Sequence, residues 1–172
     1  TVLGAKVPGY VQAVAVSDNQ FVHKGDLLVK LDDRDYRAVA AKAEAAVAAQ
    51  QAALGNLDAQ AHLQESVIAQ AQAALAAANA EAKRSRLDDA RYRELADRAA
   101  VSVESAQRAE ASFATAAAAT QRASAAVQAA QRQLEVIGTQ KRQVEAALLQ
   151  ARAEAELARL NVAYTELRAP VD

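Results

Sequence analysis

Cysteine, methionine and tryptophan are absent from the 172 residues, and there are only two prolines and five glycines. Without cysteine there is no disulfide, no thiolate nucleophile and no thiolate metal site, which is compatible with an oxidising compartment without establishing one. Aromatic residues make up 3% of the chain, and alanine dominates the 52% that count as hydrophobic. Alanine buries little area per residue, so a core built on it is thin and repetitive, not globular. Twenty Lys and Arg against 21 Asp and Glu leave a net charge of −1, with no basic excess for a nucleic acid partner. No segment reaches the roughly 18 apolar residues that a membrane-crossing helix requires. The longest charge-free stretches, such as SVIAQAQAALAAANA (66–80), are broken by Gln and Asn.

Catalytic and metal-binding patterns are missing too. His23 and His62 are isolated, with no second histidine or cysteine at ligand spacing. Asp32, Asp33 and Asp35 lack the glycine and glutamate offsets of a calcium loop, and helix capping accounts for them better. There is no G-x-S-x-G and no Gly-rich phosphate loop. The sequence therefore predicts neither an enzyme nor a cofactor or metal protein.

What is present divides into three parts. Residues 1–32 hold Gly4, Gly9 and Gly25 and alternate in the manner of strands through GYVQAVAV, with turn chemistry at Ser17-Asp18-Asn19 and Lys24-Gly25-Asp26. Two or three short strands cannot bury a face alone and need partners from elsewhere in the chain. From Asp33 the period becomes helical, with Asp32 or Asp33 as N-cap and Asp35 in the first turn. Val47, Leu54, Ala61, Ile68, Leu75 and Ala82 recur at seven-residue steps. In the second half one row runs Phe113, Thr120, Val127, Leu134, Lys141, Leu148, Ala155, Val162, and another runs Ala130, Ile137, Val144, Ala151, Ala158. Sustained heptads of this kind make a coiled-coil seam.

The pattern breaks at Ala99-Ala100-Val101 and resumes after Ser102. Two long helices, about 34–98 and 102–163, joined by a short turn form an antiparallel hairpin. At ~1.5 Å per residue each runs on the order of 90–100 Å. Folding there sets Leu54 against Leu148, Ile68 against Leu134 and Lys141 against the small Ala61. Gly55 and Gly138 lie inside the helices as candidate bends, and the sign-alternating charges around 81–98 read as a solvated face. Pro170 ends the helical register, and LNVAYTELRAPVD (160–172) turns β-favouring, with a strand near Tyr164–Arg168. Both ends of the hairpin thus carry strands. The predicted architecture is mainly α: a coiled-coil hairpin (33–163) inserted into a small β-domain whose first part is 1–32 and whose second begins at 164–172. The opening TVLGAKVPGYV has neither Met nor an apolar signal core, so residue 1 reads as a fold boundary.

Three stretches resemble the HlyD family of membrane fusion proteins, the periplasmic adaptors. Val22, Lys24, Gly25, Asp26, Leu28, Leu31 and Asp32 match the pattern V-x-K-G-D-x-L-x-x-L-D of the family's first lipoyl-like half-domain. LNVAYTELRAPVD resembles the point where the chain re-enters that domain. Arg91, Leu95 and Ser102 have the spacing R-x3-L-x6-S used at the family's hairpin tip. Among subfamilies the likeness is to the EmrA type, which serves major-facilitator exporters. The resemblance implies a Gram-negative periplasmic protein, held at the inner membrane by a segment outside this chain. It implies a ring of copies, trimeric or hexameric, joining an inner-membrane exporter to a TolC-type outer-membrane channel. Arg91, Leu95 and Ser102 are then the channel-binding residues, with an exposed leucine between guanidinium donors and a hydroxyl. Lys24 is expected to serve the turn and not to carry a lipoyl group, since no Met flanks it and the hairpin fills the position between half-domains. The rival reading is a structural coiled-coil scaffold dimerising along its helices.

Overall fold

A computed structural model describes residues 4–170. Its elements are β1 (Val11–Val14), β2 (Leu27–Leu31), α1 (Arg34–Asp97), α2 (Val103–Ala163) and β3 (Glu166–Arg168). Asp172, one of the residues behind the resemblance at the chain's end, lies outside the described residues. The chain forms two compact units, Thr1–Gly55 with Arg142–Asp172 and, between them, Asn56–Lys141.

In the first unit the strands make one antiparallel sheet in the order β1-β2-β3. Val11 pairs with Leu31 and Val14 with Val29. On the other side of β2, Leu27 pairs with Arg168 and Lys30 with Glu166. The Lys24-Gly25-Asp26 turn explains itself here. Gly25 sits at φ 94°, in the left-handed region that glycine tolerates. The Asp26 carboxylate accepts the His23 backbone N–H (2.8 Å), which closes the turn. The turn then clamps the returning chain. Gly25 N–H donates to the Ala169 carbonyl, Ala169 N–H to the Asp26 carbonyl, and the Arg168 guanidinium to the Gly25 carbonyl. Thr165, 1% exposed, joins α2 to the sheet: its hydroxyl donates to the Val162 carbonyl, and its own carbonyl accepts the Leu31 N–H.

At the start of α1, Asp33 takes the N-cap position, its carbonyl accepting the Arg37 N–H and its carboxylate held by the Arg37 guanidinium. Asp32 takes the N–H and guanidinium of Arg34, and these hydrogen bonds hold its carboxyl at about 2. The α1 and α2 segments of this unit are bridged by Arg159 to Glu44 at 2.9 Å. The α2 seam positions Leu148, Ala151, Ala155 and Ala158 are all buried.

In the second unit the helices run antiparallel. Cross-helix contacts link Arg93 to Glu110, Gln64 to the Ala130 carbonyl and Lys141 to Asp58, so α2 numbers rise as α1 numbers fall. Ala116, Val127, Ala130 and Ile137 are buried at the spacing the heptads predict. Lys141, the one charge in its row, puts its ammonium 2.7 Å from the Asp58 carboxylate. A second α1 row with no apolar signature also turns inward: Gln64, Ala71 and Ala78 are half-buried and Ser85 is buried. No helix of the described residues is long and apolar enough to cross a membrane.

Gly55 and Gly138 sit within unbroken helix, and a Cβ added at either meets nothing within 4 Å. Neither glycine is required by packing, so each only weakens its helix. Gly55→Ala and Gly138→Ala should each raise stability by about 0.5–1 kcal/mol. The measurement is the urea midpoint at unchanged m-value; a lowered midpoint would show that the glycine has a structural role.

Candidate partner-binding tip

The hairpin of the second unit closes over residues 98–102. Ala99 N–H donates to the Ala96 carbonyl and Ala100 N–H to the Leu95 carbonyl, both at 2.9 Å. This pair of bonds around a left-handed residue is a Schellman closure of α1. The left-handed residue is Ala99, at φ 54°, where glycine is usual. Its Cβ makes that conformation costly by about 1 kcal/mol. Ser102 then caps α2: its hydroxyl oxygen accepts the Ser105 N–H (3.2 Å), and its carbonyl accepts the N–H groups of Ser105 and Ala106. Glu104 follows in the first turn, where a carboxylate suits the helix dipole.

The three residues with tip spacing all lie in this unit but differ in presentation. Arg91 is exposed, and its ion pair is a long 3.6 Å contact to Asp88, so most of its donors face solvent. Ser102 is exposed, with its hydroxyl engaged in the cap and 2.9 Å from the Ser105 hydroxyl. Leu95 departs from expectation. It is half-buried, because its place three residues before the cap turns its side chain toward the closure and away from open solvent. The large apolar side chain that the tip does expose is Val103, 69% accessible at the first position of α2. Its signal in the sequence was a β-branched residue off the seam rows at a helix start, where packing within the hairpin gives it no role.

Below the closure the seam is polar. Ser85 is 2% and Asp89 6% exposed, which corrects the reading of 81–98 as wholly solvated. Asp89 accepts from Arg93 at 2.9 Å, and Arg93 continues to Glu110 on α2 at 3.1 Å, making a ladder across the helices. A cavity of about 250 Å³ lies beside it, with Ser85, Tyr92, Ser105 and Arg108 in its walls. Glu81, Arg84 and Asp88 bond along the outer face, where the Arg84 guanidinium holds Glu81 below the usual carboxylate range.

Three substitutions separate the strain from the cap. Ala99→Gly should stabilise the unit by up to about 1 kcal/mol by relieving the left-handed Cβ, visible as a raised melting temperature. Ser102→Ala should cost about 1 kcal/mol, whereas Ser102→Asn, which also caps, should stay within a few tenths. Equal losses for both Ser102 variants in thermal unfolding would refute the capping assignment.

By sequence the chain is 36% identical over 90 residues to the colistin resistance protein EmrA of Acinetobacter baumannii, a match covering 52% of this chain and 26% of that protein. Over 44 residues it is 52% identical to the multidrug resistance protein MdtN of Escherichia coli K12, covering 26% of this chain and 13% of that protein. These matches span about a quarter or less of the curated relatives' length. No family model matches. By structure the chain superposes on the periplasmic adaptor protein EmrA with a TM-score of 0.52 over 95% of this chain and 61% of that one. At 16% identity that likeness is one of fold.

Proposed function

We propose that this chain, similar over part of its length to EmrA and MdtN and in fold to the periplasmic adaptor protein EmrA, is an HlyD-type membrane fusion protein of the EmrA-like kind and forms the hairpin-bearing part of a periplasmic adaptor in an efflux system. In this reading β1–β3 are part of a lipoyl-like domain. The hairpin closure meets a TolC-type outer-membrane channel, and parts of the protein outside this chain reach the inner membrane and an exporter of the major-facilitator type. Copies assemble laterally into a trimeric or hexameric ring. The work is connective, with no chemical step.

One observation carries the proposal: a helical hairpin closes in a doubly capped turn that leaves Arg91, Ser102 and Val103 facing solvent. Nothing inside the hairpin accounts for the exposed Val103 or for an Arg91 guanidinium held only by a long contact to Asp88, whereas a docking partner does. Arg91 can bond partner carbonyls or a carboxylate through several N–H groups at once. Val103 supplies apolar contact beside the half-buried Leu95, whose carbonyl accepts the Ala100 N–H of the closure. The scaffold alternative needs the α1 and α2 seams to face a second chain. They face each other instead, with Gln64, Lys141 and Arg93 bonded across.

These 172 residues contain no cysteine, so Ala100→Cys places the one thiol among them in the closure, for testing in the full-length protein. It should crosslink to the outer-membrane channel. Adding Arg91→Ala or Val103→Asp should cut crosslink yield and export about tenfold. Undiminished crosslinking and export in the Arg91 and Val103 variants would exclude the closure as the contact.

A further inference from the structure

The sheet-bearing unit holds a second feature that has no part in the tip reading. A groove of about 580 Å³ lies between the first turns of α1 and the segment entering β1, walled by Pro8, Tyr10, Asp32, Asp35, Tyr36 and Val39. That volume suits a drug-sized ligand. Both walls are tied down. The Tyr36 hydroxyl donates to the Pro8 carbonyl at 2.6 Å, and the Asp32 N–H donates to the Tyr10 carbonyl at 2.8 Å. The side chains above these bonds are nonetheless bare, with Tyr10 88% and Val39 57% exposed. Two phenol rings and an aliphatic side chain line the groove, Tyr10 and Val39 exposed and Tyr36 half-buried.

The charges in the groove select a sign. The Asp32 carboxylate is already met by the Arg34 guanidinium at 2.6 Å. Arg37, the other cation on this turn, is committed to Asp33 at 2.7 Å. Asp35 has no hydrogen bond or salt bridge among the described residues and interacts only electrostatically with the Arg34 guanidinium, so the three carboxylates of this turn outnumber its two guanidinium groups and leave one negative charge beside two aromatic faces. An anion would meet Asp35 unfavourably, and a neutral ligand would gain only apolar contact. A cation gains both the carboxylate and the ring quadrupoles.

We propose that this groove binds a lipophilic organic cation, with its charge against Asp35 and its apolar body between Tyr10, Tyr36 and Val39. The positive end of the α1 dipole lies beneath Asp35 and offsets part of its charge. Affinity should accordingly be modest, with a dissociation constant on the order of 0.1–1 mM. The site is independent of the adaptor reading, since no tip residue contributes to it.

The test is a titration of the protein with tetraphenylphosphonium and with neutral triphenylphosphine oxide, followed by NMR of the tyrosine rings. Saturable shifts are expected at Tyr10 and Tyr36 and not at Tyr92 or Tyr164, with the phosphonium binding about fivefold tighter than the neutral oxide. Asp35→Asn should remove that preference and leave the neutral compound's binding unchanged. Tyr10→Ala, at a side chain too exposed to matter for folding, should weaken both. The proposal is overturned by an absence of saturable shifts at Tyr10 and Tyr36. It is equally overturned by equal affinity for the two compounds, or by an Asp35→Asn protein that still prefers the cation.

Discussion

Alanine occupies many of the positions at which α1 and α2 meet, and a seam of that kind sets the terms for the rest of the chain. Each buried methyl group withdraws little apolar area from water, so no short segment can hold two helices together. The remedy is repetition, with the same three-and-four spacing kept along both helices and Val127, Ile137 and Leu148 spaced among the alanines. Small side chains also let the two backbones come close, which places long polar side chains within reach of the opposite helix. Gln64, Lys141 and Arg93 use that proximity. Exposed ion pairs add little stability singly. Their value is positional, because a uniform alanine seam would slide and directional bonds penalise each wrong register.

The buried Asp89 belongs to the same logic. A carboxylate in a coiled-coil seam costs desolvation unless a partner meets it, and here Arg93 does so while also holding Glu110. Just beyond it the hairpin must turn, and the turn uses two alanines and a valine where glycine would be easier. Hydrogen bonds from Ala99 and Ala100 back to α1, and from α2 onto Ser102, leave the closure little freedom to rearrange. A closure with bonded backbone and bare side chains loses little entropy on docking.

The broad architecture was legible because it is written in periodicity. Heptad rows in the second half, the break after Arg98, the alternation before Asp18 and the β-favouring end after Leu160 all correspond to observed elements. The second α1 row was illegible for a simple reason: Gln64 and Ser85 look like surface residues, and only a facing helix makes them interior. The same holds at the tip. Spacing marked Leu95 as an exposed apolar contact; it is half-buried, and burial, which depends on how the closure folds back, leaves Val103 as the more open apolar side chain. The groove beside Tyr10 had no sequence signature, since its walls meet only through the Tyr36–Pro8 and Asp32–Tyr10 bonds.

The clamp between the Lys24-Gly25-Asp26 turn and residues 168–169 carries one more consequence, and it concerns the order of events in folding. Arg168 and Gly25 are 143 positions apart, so in an extended chain their meeting would require closing a loop through nearly the whole molecule. Contacts of such separation are slow to form. Only two residues separate β2 from α1, and two separate α2 from β3. Once the helices have zipped from their closure toward these ends, the effective loop shrinks from over a hundred residues to a handful. The sheet is therefore expected to assemble after the helices have paired, so that its formation would report that the seam has found its register.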